Sequence, residues 1–190
     1  SFGYEGQEFL LPEVANHSAQ FVCKADIPQQ QISLIKGLEN KRIVDATMLF
    51  KDGIYYLFFG EPNSAHTLLH LWYSNSPFGN FAVHPMSPIG ISPKNARMGG
   101  KLLLSSDSLI RFGQDNSGEY GESLAVMSVI SISKEIFNEE QIGTIKIDKF
   151  KGPHNIDFNS DMSKLLIDYY DDQFSIFAGV RRIKAKLSKS

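Results

Sequence analysis

Cysteine is nearly absent from this chain. Cys23 is the single one among 190 residues, so no disulfide can close within the polypeptide and the fold must rest on its core. Long apolar runs are missing too. Nothing approaches the roughly 18 consecutive apolar residues of a membrane-spanning helix, which removes a helical span from consideration. Charge of one sign is not in excess: 19 Lys and Arg stand against 21 Asp and Glu, a net of −2. With no basic field to meet phosphates, nucleic acid and anionic membrane are poor partners. Two apparent ligand motifs fail on inspection. His66 and His70 have i, i+4 spacing but no Glu beside His66, and Gly99-Gly100-Lys101 lacks the spacing and the Ser or Thr of a phosphate loop. No metal and no cofactor is therefore expected. The chain opens Ser-Phe-Gly-Tyr-Glu-Gly with neither Met nor a signal-peptide pattern, and the expectation is that further sequence precedes it.

What is present is strand material, in a chain long enough to bury a real core. Phe, Tyr and Trp make up 12% of residues and gather in short runs broken by turn residues, the pattern of an all-β protein. The runs are 8–11, 21–24, 43–50, 54–59, 68–73, 101–104, 109–112, 124–132, 142–147 and 165–170; only 134–141 reads as a short helical turn. The runs repeat. Glu5-Gly6-Gln7-Glu8-Phe9-Leu10-Leu11 aligns with Asp52-Gly53-Ile54-Tyr55-Tyr56-Leu57-Phe58, 47 residues on, and looser copies at 106–112 and 160–167 lie 54 residues apart. A β-sandwich also gives short strands with turns, but a period of roughly 40 to 50 residues is that of propeller blades. Three units and two partial ones are too few to close a ring of typically four to eight blades. The fold class expected is all-β, a β-propeller forming an incomplete ring, with the inner strand of the first unit mostly missing. Residues 1–190 would be one propeller domain, the C-terminal blades of a larger one.

Strand polarity then selects residues. In an antiparallel blade the start of the inner strand and the end of the second strand lie at the same end. One mouth of the channel should collect Asp45, Arg97 and His154 from inner-strand starts, and Glu13, Glu61, Gln114, Asp115 and Asp168 from second-strand ends. Paired carboxylates across such a funnel are what glycoside cleavage requires, which makes Asp45 and Glu13 the candidate catalytic pair. Asp45 could equally tie neighbouring blades together, and Glu13 could be a strand-end charge in solvent. Arg97 is a candidate grip on a sugar hydroxyl, carboxylate or phosphate, or half of an ion pair between blades. His154 is a sugar partner or a satisfied structural histidine. Gln114 and Asp115 suit recognition of hydroxyls, against an Asx-turn role. Trp72 suits stacking on a sugar face, against a place in the core. Asn16-His17-Ser18 fits an N-glycosylation pattern, Glu119 reads as loop, and the basic tail from Arg181 to Lys189 reads as a solvated terminus.

Several stretches resemble a known family. Ile43-Val44-Asp45-Ala46-Thr47-Met48-Leu49-Phe50 followed by Asp52-Gly53-Ile54-Tyr55-Tyr56-Leu57-Phe58 resembles the inner-strand pattern of five-bladed furanosidase-type propellers, the fold of glycoside hydrolase family 43. Leu71-Trp72-Tyr73-Ser74-Asn75-Ser76-Pro77-Phe78-Gly79, with His84-Pro85-Met86-Ser87-Pro88, resembles their third strand and the turn after it. Nearly the whole chain, through Ala96-Arg97-Met98-Gly99-Gly100, Arg111-Phe112-Gly113-Gln114-Asp115-Asn116 and Gly152-Pro153-His154-Asn155, is similar to the propeller domain N-terminal to the transferase domain of plant glucosamine inositolphosphorylceramide transferases. Ala46 and Met98 stand where those families usually carry Pro. The resemblance implies a carbohydrate-active propeller whose partner is a glycan or sugar conjugate, either glycosidase-like or the sugar-handling part of a glycan-assembling protein with a linked or associated second domain. The alternative is a non-catalytic glycan-binding or scaffold propeller that positions such a domain. The compartment is left open.

Overall fold

A computed structural model describes residues 1–14, 19–26, 32–118, 121–148, 150–159 and 162–170. The Asn16 pattern, Glu119, residues 160–161 of the last repeat and the basic tail lie outside the described residues. Every described element is a strand. Phe2–Tyr4 (β1), Gln7–Leu10 (β2), Phe21–Lys24 (β3) and Ile32–Leu34 (β4) make a first meander. Val44–Lys51 (β5), Ile54–Gly60 (β6), Leu68–Ser74 (β7) and Ala82–Val83 (β8) make a second, with Gly90–Ile91 (β9) also pairing β7. The third runs from Arg97–Met98 (β10) and Leu103–Leu104 (β11), both paired with Leu109–Asp115 (β12), through Ser123–Ile132 (β13) to Phe137–Ile145 (β14). Ile156–Phe158 (β15) and Leu165–Ile167 (β16) start a fourth.

Local chemistry explains the hairpins. Asp52 and Gly53 turn β5 into β6 with φ of 51° and 79°, and Glu5 and Gly6 turn β1 into β2 with 47° and 74°. Both central residues of such a two-residue turn need positive φ, so an acidic-Gly pair is repeated where the sheet must reverse tightly. Alternation along β6 then divides its side chains between two neighbours. Tyr55, Leu57 and Phe59 pack with Phe2, Phe9, Val22 and Ile35 of the first sheet. Tyr56 and Phe58 pack with Met98, Leu102, Leu109 and Phe137 of the third. On the other face of the third sheet, Phe112 and Leu124 meet Ile156, Phe158 and Ile167. Each sheet is thus a blade pressed between its neighbours, and full burial of side chains such as Phe58 and Phe59 contributes about 1.5–3 kcal/mol apiece. The inner strands stand side by side around one axis: β5 contacts β1 and β10, and Gly100 bridges in parallel to Ile156. The described residues form an open arc of a propeller, as the repeat predicts.

One expectation needs correction. Residues 134–141 are not a helical turn. Ser133 Oγ accepts the N–H groups of Glu135 and Ile136 at 3.2 and 3.0 Å, closing a tight turn, and the chain returns as β14 along the whole of β13. The Asn138-Glu139-Glu140-Gln141 run favours helix locally, but tertiary context overrides propensity. Phe137 is buried in the core, and Glu139 grips the fully buried Arg111 through two bonds of 2.7 and 2.6 Å. The inner strand of the first blade is short, as expected: β1 has three residues against eight in β5 and pairs with β2 over all three.

Candidate functional site

A cavity of about 250 Å³ lies at one end of the channel, lined by residues of all four blades. Leu11 and Glu13 reach it from the first blade, Asp45, Ala46 and Thr47 from the second, Met98, Gly100 and Gln114 from the third, and His154 and Asn155 from the fourth. Four of the seven residues selected from the sequence, Glu13, Asp45, Gln114 and His154, therefore line one cavity. The channel continues into a second space of about 170 Å³ that shares Leu11, Ala46, Thr47, Gly100 and Asn155 and reaches Lys101 and Asp157.

Asp45 is the centre of the arrangement. Its φ is 49°, and the β5–β6 register slips between Val44 and Thr47, a bulge of the kind that re-aims a side chain next to a functional site. Asp is one of the few residues that adopt the left-handed conformation at modest cost, because its short polar group bonds locally. Its N–H donates to Glu13 Oε2 at 3.1 Å, and its Oδ2 accepts from Arg97 Nε at 2.6 Å. Arg97 Nη1 lies 3.3 Å from His66 Nδ1. Thr47 Oγ1 donates to the Gly100 carbonyl at 3.2 Å. A polar chain therefore runs from the first blade through the second to the third. Of the two readings of Arg97, the structure realises the inter-blade ion pair, with both side chains largely buried.

His154 is held from three sides. Its Nδ1 lies 2.6 Å from Asp168 Oδ2, its ring stacks on Tyr170 at 5.0 Å, and its Nε2 is 3.3 Å from the Tyr170 hydroxyl. Asp168 also accepts the N–H groups of His154 and Asn155 at 3.1 and 2.8 Å. Gly121 packs so closely that an added Cβ would fall 2.6 Å from His154 Cβ. Gln114 Nε2 donates to the Met98 carbonyl at 2.7 Å.

The remaining candidates lie elsewhere. Asp115 Oδ1 accepts from the N–H and hydroxyl of Ser117 at 2.9 and 2.6 Å, the Asx-turn geometry. Trp72 sits edge-on to Phe59 at 5.6 Å, in the core between the first two blades, with Lys41 Nζ 5.0 Å over its ring. Glu61 pairs with Lys41 at 2.6 Å, outside the cavity. Sequence reasoning missed Thr47 and Asn155 as lining residues and His66 as a neighbour of Arg97. His66 was legible in principle, since it lies in the loop just past the end of β6, on the same side as the mouth. Among the described residues, no group of three or more His, Cys, Asp and Glu is placed to hold a metal.

Comparison with known proteins agrees with this fold. The structure is similar to an exo-β-1,3-galactanase from Clostridium thermocellum, with a TM-score of 0.55 and 10% identity over 92% of this chain and 44% of that one. This likeness shows the propeller fold. In sequence, the chain is 32% identical over 144 residues to glucosamine inositolphosphorylceramide transferase 1 of Oryza sativa subsp. japonica, covering 73% of this chain. It is 32% identical over 149 residues to the Arabidopsis thaliana protein of the same name, covering 74%. The chain spans about a fifth of the length of either relative, 19%. Residues 1–161 match the family model described as glucosamine inositolphosphorylceramide transferase 1, N-terminal, and the chain belongs to that family.

Proposed function

We propose that this propeller binds a glycan at the mouth lined by Glu13, Asp45, Gln114 and His154, as the sugar-handling part of a glycan-assembling protein with a further domain. The observation that carries the reading is the convergence of polar side chains from four blades on one cavity of about 250 Å³, room for a single sugar ring among fixed hydrogen-bonding groups. The relatives are named glucosamine inositolphosphorylceramide transferase 1, which supports a role in glycan assembly. Binding is favoured over hydrolysis because each carboxylate at the mouth already has a partner: Asp45 with Arg97, Glu13 with the Asp45 N–H, and Asp168 with His154. Glycoside cleavage needs one carboxyl group to give a proton and another to attack or to activate water, and side chains tied into the frame are poorly disposed to exchange those roles.

One observation favours a second reading. The Asp45–Arg97 pair joins two blades, as it would in a scaffold that positions a neighbouring domain. The full-length protein decides between them by glycan-array binding and thermal melting of Asp45→Asn and Arg97→Ala. Lost binding with a small change in melting temperature supports the glycan site. Unchanged binding with a large drop in melting temperature assigns both residues to blade structure.

A further inference from the structure

Gln114 holds hydrogen-bonding capacity that the protein leaves unspent. It lies near the end of β12, is 2% exposed and lines the cavity at the mouth. Its Nε2 donates to the Met98 carbonyl at 2.7 Å. A carbonyl accepts only from the N–H end of an amide, so this bond orients the whole group and keeps Oε1 as an acceptor. That oxygen is buried and has no hydrogen-bond partner among the described residues. Burying an unsatisfied acceptor is costly, and each such atom in a folded protein calls for an explanation. Three of the donors nearby are committed, the Thr47 hydroxyl to Gly100, Arg97 Nε to Asp45 and the His154 ring to Asp168 and Tyr170, and the Asn155 side-chain amide is the further donor lining the cavity. What the protein offers a ligand here is mainly acceptors, the carboxylates of Glu13 and Asp45 together with Gln114 Oε1.

We infer that Gln114 is the specificity-determining residue of the mouth, its Oε1 accepting one ligand hydroxyl, and that the cavity selects neutral, hydroxyl-donating sugars over those carrying a carboxylate or phosphate. This rests on the glycan reading above. An anionic sugar would bring charge toward two carboxylates whose one nearby guanidinium is already paired.

The test uses the full-length protein, titrated by calorimetry with the methyl pyranosides of glucose, galactose and mannose, their monodeoxy and monodeoxyfluoro analogues, and methyl glucuronide. A C–F group accepts weakly and cannot donate. At one ring position both replacements should weaken binding by about tenfold, the scale of one lost hydrogen bond. The Gln114→Met variant should bind the parent sugar about tenfold more weakly and show no further loss with that deoxy sugar, as a mutant cycle requires of a direct partner. The glucuronide should bind more weakly than the glucoside. The inference is overturned if the fluoro sugars keep full affinity at every position, if Gln114→Met keeps the full discrimination, or if the glucuronide binds more tightly. The sugar series on the unmodified protein decides the matter even if the variant does not fold. Absence of binding to every methyl pyranoside overturns the glycan reading itself.

Discussion

Replacing Asp45 in series separates its three duties. Asp45→Asn keeps the shape, the local polar group and a weaker acceptor for Arg97 Nε, now at 2.6 Å from Oδ2. Losing the charge-assisted part of that bond, between side chains only 14% and 22% exposed, costs about 1–2 kcal/mol. Asp45→Ala removes the acceptor altogether and places an ordinary Cβ at a φ of 49°, where the left-handed conformation adds about 1–2 kcal/mol. The total is then about 3–4 kcal/mol. Asp45→Gly loses the same contact and escapes the conformational penalty, but gives back about 0.5–1 kcal/mol through the freer unfolded chain. Gly should therefore be more stable than Ala by about 0.5–1 kcal/mol, an inversion of the usual order within strands. Urea unfolding with a common m-value measures all three. If Ala matches or exceeds Gly, the strain assigned to Asp45 is absent. If Asn matches the parent protein, the ion pair to Arg97 contributes nothing to the fold.

Other parts of the molecule give sharp outcomes. Glu139→Ala should cost about 3–5 kcal/mol in urea unfolding, because it strands the fully buried guanidinium of Arg111; the double change Arg111→Met, Glu139→Leu should recover most of that, and a loss below about 1 kcal/mol for the single variant contradicts the burial argument. Burial, the largest influence, holds the His70 imidazole below its ordinary value of 6.5, with Lys41 adding to this and Glu61 opposing it. A histidine depressed in the folded state contributes stability above its unfolded value that is lost as pH falls through the folded one, so unfolding free energy should decline below pH 6.5 and His70→Gln should flatten that decline. Gly121→Ala should both destabilise the protein and shift the His154 ring resonances, since its Cβ would sit 2.6 Å from His154 Cβ at a φ of +62°; unchanged resonances would remove Gly121 from the support of the site.

Much of the fold was legible because two kinds of local chemistry agree. The acidic-Gly turns at Glu5-Gly6 and Asp52-Gly53 mark tight reversals, and both are realised with positive φ at both residues. The aromatic runs around them become the strands whose two faces fill adjacent cores. Strand polarity alone brought Glu13, Asp45, Gln114 and His154 to one end, since an inner strand's start and its partner's end must coincide. It did not distinguish a residue at that end from one facing the cavity. Asp115, next to Gln114, has the opposite side of β12 and spends its carboxylate on Ser117, while Trp72 belongs to a third strand, away from the axis. The shortest elements, β8, β9, β10 and β11, have two residues each and carry no period that a sequence can display. The bulge at Asp45 and the pairing of Arg97 across blades depend on contacts between residues 52 positions apart, which no local pattern encodes.

The same bonds build the frame and shape the site, so stability and recognition are linked at this mouth. Glu13 holds the Asp45 backbone, Asp45 holds Arg97, and Asp168 holds His154 together with the N–H of Asn155. Each bond fixes a polar group that would otherwise lose rotamer freedom on meeting a ligand, which lowers the cost of binding. The arrangement also explains why a non-glycine residue is held at positive φ at Asp45: two neighbouring blades over-determine its position, the condition under which sparsely populated backbone conformations persist. A mouth assembled in this way presents fixed acceptors at small reorganisation cost and leaves its carboxylates little freedom to exchange protons. That geometry is the reason the proposed function is recognition of a sugar and not its cleavage.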